Sequence, residues 1–176
     1  EGELFGIGPG EAGYNLNERR WARPTLDVNG LNSGYQGTGS KTIIPSKASA
    51  KISMRIVPNQ NPDKIFKLFS DYVKKLTPSW VKLDILKHAD CLPYKAPTNH
   101  KVFTLIKQSL KKIFGKDPVF AGVGGSIGFI PIAAETLKVP CIMVGFGLPH
   151  DNLHAPNEHF DLSNYFKGIE AMTDFY

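Results

Sequence analysis

The sequence predicts an α+β unit, a small antiparallel sheet with helices on one face, followed by an incomplete α/β segment. Three observations predict it. Within the strand-like stretch 41–57, Ala48 to Ile56 alternate apolar and polar side chains with a period of two, the mark of a half-buried strand. Two stretches, one opened by Asn61-Pro62-Asp63 and one running from Val102, repeat apolar residues at helical spacing. Val139 to Val144 is apolar without alternation, as expected of a strand covered on both faces. The divisions expected are an irregular lead-in over 1–21, a first domain over 22–94 and a second segment over 95–176.

Composition bounds the function. The chain has 176 residues, 41% hydrophobic and 21% charged, which suffices for one large domain or two small ones. Its net charge is +5, but the lysines are scattered, and the pairs Lys74-Lys75 and Lys111-Lys112 fall in helical stretches. No basic stripe interleaves with aromatics, so nucleic acid is not an expected partner. No apolar run approaches the length of a membrane span, and no membrane association is expected. Two cysteines, Cys91 and Cys141, fit a reducing compartment and a cytoplasmic protein better than a disulfide scaffold; Cys141, in an apolar run, is expected to be a buried free thiol. The chain opens Glu1-Gly2 without methionine or signal-like segment and reads as a fragment.

Taken in order, 1–20 is glycine-rich and reads as loop with a short helical turn. Thr25 to Val28 is a short strand that the turn pair Asn29-Gly30 should end. Leu31 to Ser40 holds three glycines and reads as loop. Thr42-Ile43-Ile44 is a strand candidate broken by Pro45. In the main strand, Ala48, Ala50, Ile52, Met54 and Ile56 face the core, and Arg55 faces away, with no obvious acid along its own strand face. Asn61, Pro62 and Asp63 supply cap, first-turn proline and an acid at the positive helix end. That helix carries the stripe Ile65, Phe69, Val73 and Leu76. Val81 to Leu86 alternates again and predicts another strand. Pro93 to Pro97 reads as a linker. Beyond it come a helix with Val102, Ile106, Leu110 and Ile113, a short strand at 118–121, and a glycine turn over Gly122 to Ser126. A helix over Ile127 to Leu137 follows. The last helix is capped by Asp161, with the stripe Leu162, Tyr165, Phe166, Ile169 and Met172.

Two long motifs carry a resemblance. Arg23 to Ile65, RPTLDVNGLNSGYQGTGSKTIIPSKASAKISMRIVPNQNPDKI, resembles the lid, or dimerisation, domain of the carnosinase-type dinuclear zinc exopeptidases. These form metallopeptidase family 20, with aminoacylases, carboxypeptidase G and succinyl-diaminopimelate desuccinylase as relatives. Gly124-Gly125-Ser126-Ile127 and then GLPHDNLHAPNE, Gly147 to Glu158, resemble the last part of that family's catalytic domain. The resemblance makes 22–94 the lid and 95–176 the C-terminal catalytic segment.

The resemblance implies roles residue by residue. His154 matches the last metal ligand, an imidazole on the second zinc. Arg55 matches the lid arginine that grips the substrate's terminal carboxylate. Thr42 matches a lid position that contacts substrate or the tetrahedral oxygen. Gly125 and Ser126 match the turn that lines the carboxylate pocket. Elementary chemistry agrees: neutral imidazole is a common zinc ligand, and arginine's planar fork fits a carboxylate. Free N–H groups at a glycine turn before a helix attract anions. Without the resemblance, His154 would read as a loop histidine, and Arg55 and Thr42 as solvated strand residues.

The implied activity is zinc-dependent hydrolysis of dipeptides or N-acyl amino acids beside a free carboxylate, in a homodimer formed through the lid. Two zinc ions, or manganese in their place, are the implied cofactors. The H-x-D histidine, the bridging aspartate and the Glu-Glu pair of the family precede the lid, in an N-terminal catalytic segment. This chain alone is therefore expected to bind no metal and to be inactive, since a catalytic zinc needs about three protein ligands. The alternative is a non-catalytic dimerisation or binding module that keeps the lid. His88-Ala89-Asp90 and His159-Phe160-Asp161 spell H-x-D in the wrong places and read as decoys. Asp151 and Glu158 read as residues that order a loop, not as ligands. Gly122 stands where many relatives carry arginine, and His150 where an acid is common, which bears on substrate preference.

Overall fold

A computed structural model describes residues 10–123 and 127–176. It divides into two compact units. The first runs to Tyr94 and takes in Gly122, Val123, Ile127 and Gly128; the second comprises Lys95–Ala121 and Phe129–Tyr176. Among the described residues there are five helices and one two-stranded antiparallel sheet.

The first unit opens with α1, Leu16–Ala22, where the sequence predicts loop with only a short helical turn. The signal was local. Asn15 accepts from the Glu18 N–H and the Glu18 carboxylate accepts from the Asn15 N–H, a reciprocal box that satisfies two otherwise unpaired donors. Upstream, Arg23 donates to Glu11 from two nitrogens at 2.8 and 2.5 Å, which fastens the chain on either side of the helix.

Strands β1, Thr25–Ser33, and β2, Ala48–Arg55, form the sheet. Asn29-Gly30 does not end β1 as expected. The register passes from Val28↔Ile52 to Gly30↔Lys51, so Asn29 is an extra residue in a bulge. The bulge has a consequence for the faces. Leu26 and Val28 lie on one face with Met54 and Ile52; one inserted residue brings Leu31, opposite Ala50, onto that same face. The apolar face thus continues through a stretch whose letters break the period of two. Most of it is uncovered: Leu26 is 53%, Val28 54% and Leu31 79% exposed. The loop between the strands turns at Gly34 and Gly39, both with left-handed φ, and carries Thr42-Ile43-Ile44, which belong to no strand.

Helix α2, Pro62–Leu76, forms as its letters predict, with the Asn61 side chain accepting from the Lys64 N–H. Ile65, Phe66, Phe69 and Val73 are half-buried, while Leu76 and Tyr72 stay exposed. The predicted strand over Val81 to Leu86 pairs with nothing among the described residues. A strand is stable only against a partner edge, and β1 and β2 pair with each other alone. Lys87, just beyond, is bound by Asp63 at 2.5 Å and by Asp90, and these carboxylates hold its ammonium above the usual lysine range.

In the second unit α3, Lys101–Phe114, packs on α5, Leu162–Phe175. Gly115 ends α3 with φ 69°, a left-handed conformation that suits glycine. Phe103, Ile106, Ile130 and Ala171 are the buried apolar residues, with Ile130 supplied by α4, Phe129–Leu137. The face by which α5 packs is a correction. Its predicted stripe is largely uncovered, with Leu162 70% and Phe166 64% exposed; the buried positions are Gly168 and Ala171. Small residues let the helix approach closely, and a side chain at Gly168 would meet the Phe146 ring at 3.0 Å. The strands expected over 118–121 and Val139 to Val144 are also unpaired, because the second unit contains no sheet. Cys141 is half-buried rather than buried, and neither Cys91 nor Cys141 forms a disulfide among the described residues.

Candidate functional site

The loop between Phe146 and α5 holds most of the chain's candidate chemistry. Its entrance is fixed by aromatic packing: Phe146 stacks on Phe114 with centroids 5.9 Å apart, and its carbonyl accepts from Asn164 Nδ2 at 3.1 Å. Its exit is fixed by Asp161, which caps α5 by accepting from Asn164 N–H at 2.9 Å and from the Ser163 hydroxyl at 2.6 Å. The Ser163 hydroxyl, then the Asn164 N–H, hold the Asp161 carboxyl below the usual carboxylate range, and His150 adds to the effect. A folded pKa lowered in this way stabilises the fold fully above the ordinary value of about 3.9. The contribution is lost as the pH falls through the lowered folded value. Asp161→Ala is therefore expected to lower the thermal midpoint by a few degrees at neutral pH. The gap to the parent should close in strong acid; a gap independent of pH in melts from neutral to acid conditions would contradict the assignment.

Asp151 organises the loop from within. It is 1% exposed. Its N–H donates to the Leu148 carbonyl at 3.1 Å, its Oδ2 accepts from the Leu148 N–H at 2.7 Å, and its carbonyl accepts from the His159 N–H at 3.0 Å. The chain between these last two bonds turns through left-handed backbone at Asn152, His154 and Asn157, residue types that tolerate it best after glycine. His154 sits exposed at the tip, with φ 61°.

The structure does not bring the other sequence-derived candidates into this loop's unit. Thr42 and Arg55 belong to the first unit, Thr42 in the interstrand loop and Arg55 at the end of β2. Arg55 pairs with Thr25 in register, and the ladder puts Asp27 on its face, an acid that a reading of β2 alone does not reveal. Gly125 and Ser126 lie outside the described residues. Gly122, also in the first unit, has no room for a side chain: an added Cβ would fall 2.4 Å from Trp21 Cβ. Of the two H-x-D decoys, Asp90 is held by Lys87, and His88 joins no metal-capable group among the described residues.

One constellation was missed. His150, Asp151 and His159 place one potential ligand atom each within 4.8 Å of one another. The sequence hint was the adjacent pair His150-Asp151, of which Asp151 reads as loop-ordering and His150 as bearing on substrate preference; the loop's closure onto Asp151 adds His159, read from the sequence only as part of a misplaced H-x-D.

Comparison with known proteins identifies the chain's relationships. Residues 6–81 match the M20 family described as peptidase dimerisation domain. The Cys-Gly metallodipeptidase of Schizosaccharomyces pombe is 31% identical over 162 residues, 90% of this chain and 34% of that protein. This chain carries an M20 peptidase dimerisation domain. The homology extends past the domain. The β-Ala-His dipeptidase of Mus musculus is 24% identical over 89% of the chain and 32% of its own length. The structure of an M20 metallo-carboxypeptidase from Sulfolobus solfataricus superposes with a TM-score of 0.83 at 31% identity, covering 99% of this chain and 40% of that one. The chain spans about a third of the length of the curated relatives it matches. All three relatives are peptidases by name, and the Cys-Gly metallodipeptidase and the metallo-carboxypeptidase are metalloenzymes by name. Among the described residues no helix is long and apolar enough to cross a membrane.

Proposed function

We infer that this chain is the C-terminal portion of a cytoplasmic, zinc-dependent M20 hydrolase that cleaves dipeptides or N-acyl amino acids beside a free carboxylate. The single observation that carries the reading is homology to metallodipeptidases along nine-tenths of the chain, through the lid and on past the His154 loop. Arg55 grips the substrate carboxylate by its guanidinium fork, with Gly125 and Ser126 lining the carboxylate pocket and Thr42 reaching the reacting carbonyl. His154 serves as one ligand of the second zinc in the whole enzyme. The described residues of this chain do not by themselves fit a dinuclear metal pair, since His154 stands outside the one donor group they form. The 176-residue chain alone is inactive.

The domain division at 22–94 and 95–176 assigns dimerisation to the first part. The apolar sheet face of Leu26, Val28, Leu31, Ala50, Ile52 and Met54 supports this, because a continuous apolar patch of this kind is what a homodimer interface covers. A charge there meets its own copy in a symmetric interface and must be desolvated. Val28→Asp is expected to convert the dimer to monomer in light scattering at micromolar concentration, with an unchanged circular dichroism spectrum. If Val28→Asp left the mass unchanged, or if the parent were monomeric, dimerisation through this face would be refuted.

A further inference from the structure

The geometry points to a single-ion transition-metal site built from His150, Asp151 and His159, with zinc as the ion it fits best. The site is made entirely by the second unit and does not depend on the hydrolase reading above. Three observations support it.

First, the donor set is right. Two imidazoles and a carboxylate, with potential ligand atoms mutually within 4.8 Å, are one short of the four ligands of a tetrahedral zinc. Bond lengths of about 2.0–2.2 Å require donors about 3.5 Å apart. Both imidazoles are exposed side chains and can close that gap by rotation about their own torsions. A water completes the fourth position.

Second, the carboxylate is spoken for on one side only. Asp151 is almost fully buried, yet among the described residues only Oδ2 has a partner; Oδ1 is buried and accepts from none of them. A buried carboxylate oxygen left without a hydrogen bond is costly unless a cation serves it. The Leu148 N–H on Oδ2 fixes the plane of the carboxylate.

Third, an outer partner orients one ligand. His159 Nδ1 lies 3.0 Å from the Asn157 carbonyl. With Nδ1–H donating to that carbonyl, Nε2 carries the lone pair that a metal needs, the arrangement in which ligand histidines are ordinarily held.

The site also has a structural meaning. His150 and Asp151 open the loop and His159 closes it, with the left-handed turns and His154 between them. One ion would clip the two ends together and remove closure entropy that the hydrogen bonds now offset. This departs from the expectation that the chain alone binds no metal.

The test is a titration of the chelator-treated, dialysed 176-residue chain with Zn²⁺, and with Co²⁺ as an absorbing substitute. One ion per chain is expected, with Co²⁺ giving the visible absorption of a low-coordinate nitrogen and oxygen site. His150→Ala and His159→Ala, both at exposed positions, should each weaken binding at least about ten-fold. His154→Ala should leave the affinity unchanged. Absence of saturable binding at micromolar metal would overturn the proposal. So would binding that His154→Ala abolishes and the other two variants leave intact.

Discussion

In the whole enzyme, Arg55→Ala is expected to lower kcat/KM for a dipeptide about a hundred-fold. The figure follows from removing one partner of a desolvated, hydrogen-bonded charge pair, which costs about 3 kcal/mol. The position of the residue gives the expectation its form. Arg55 ends β2, where the guanidinium stands on the polar sheet face beside Thr25 and Asp27 rather than in a core. Its loss should spare the fold, and the thermal midpoint should stay within a degree or two. Arg55→Lys keeps the charge without the fork and should recover only part of the activity. The dipeptide's C-terminal amide separates this role from general damage. The parent should already be slow on the amide, and Arg55→Ala should slow it no further. Unchanged KM and kcat for the free dipeptide would refute the carboxylate clamp.

Ile106→Ala should destabilise the second unit by about 3 kcal/mol, the usual range for a buried aliphatic residue cut back to alanine. In a unit of this size that corresponds to a fall in the midpoint of more than about 10 °C. Ile106 is 3% exposed on α3, in the buried cluster that includes Phe103 and Ala171 of α5. With few buried apolar residues, each carries a large share of the cohesion. Leu105, its neighbour, is 51% exposed, and Leu105→Ala serves as the control with a small effect. Equal midpoints for the two variants in a circular dichroism melt would mean that α3 and α5 do not share a core. The same core holds Phe146 through Phe114 and Gly168, so loosening it should also disorder the loop that presents His154.

Local rules were legible wherever a few neighbouring residues decide the outcome. Asn61-Pro62-Asp63 starts α2 because cap, proline and acid act within one turn. The alternation of Ala48 to Arg55 appears as β2 because side-chain parity is a property of the strand itself. Asp161 caps α5 for the same reason. The capping box at Asn15 and Glu18 was equally local and equally readable, yet it was hidden by the glycines around it. The family was legible because the stretches Arg23–Ile65 and Gly147–Glu158 keep long, specific strings of letters.

What the sequence by itself determined, then, is the helix ends, the period of β2, the M20 relationship and the loop-ordering place of Asp151. Only the tertiary structure decided the rest. It decided that Asn29 is a bulge, because parity across a ladder depends on the partner strand. It left Val81–Leu86 and Val139–Val144 unpaired, because an apolar run becomes a strand only where another edge accepts its hydrogen bonds. It chose Gly168 and Ala171 over the larger apolar stripe of α5, because small residues admit a close neighbour, and at Gly168 that neighbour is the Phe146 ring. And it brought His159 to His150 and Asp151, because a loop closed by one backbone hydrogen bond makes neighbours of residues that no sequence spacing rule would pair.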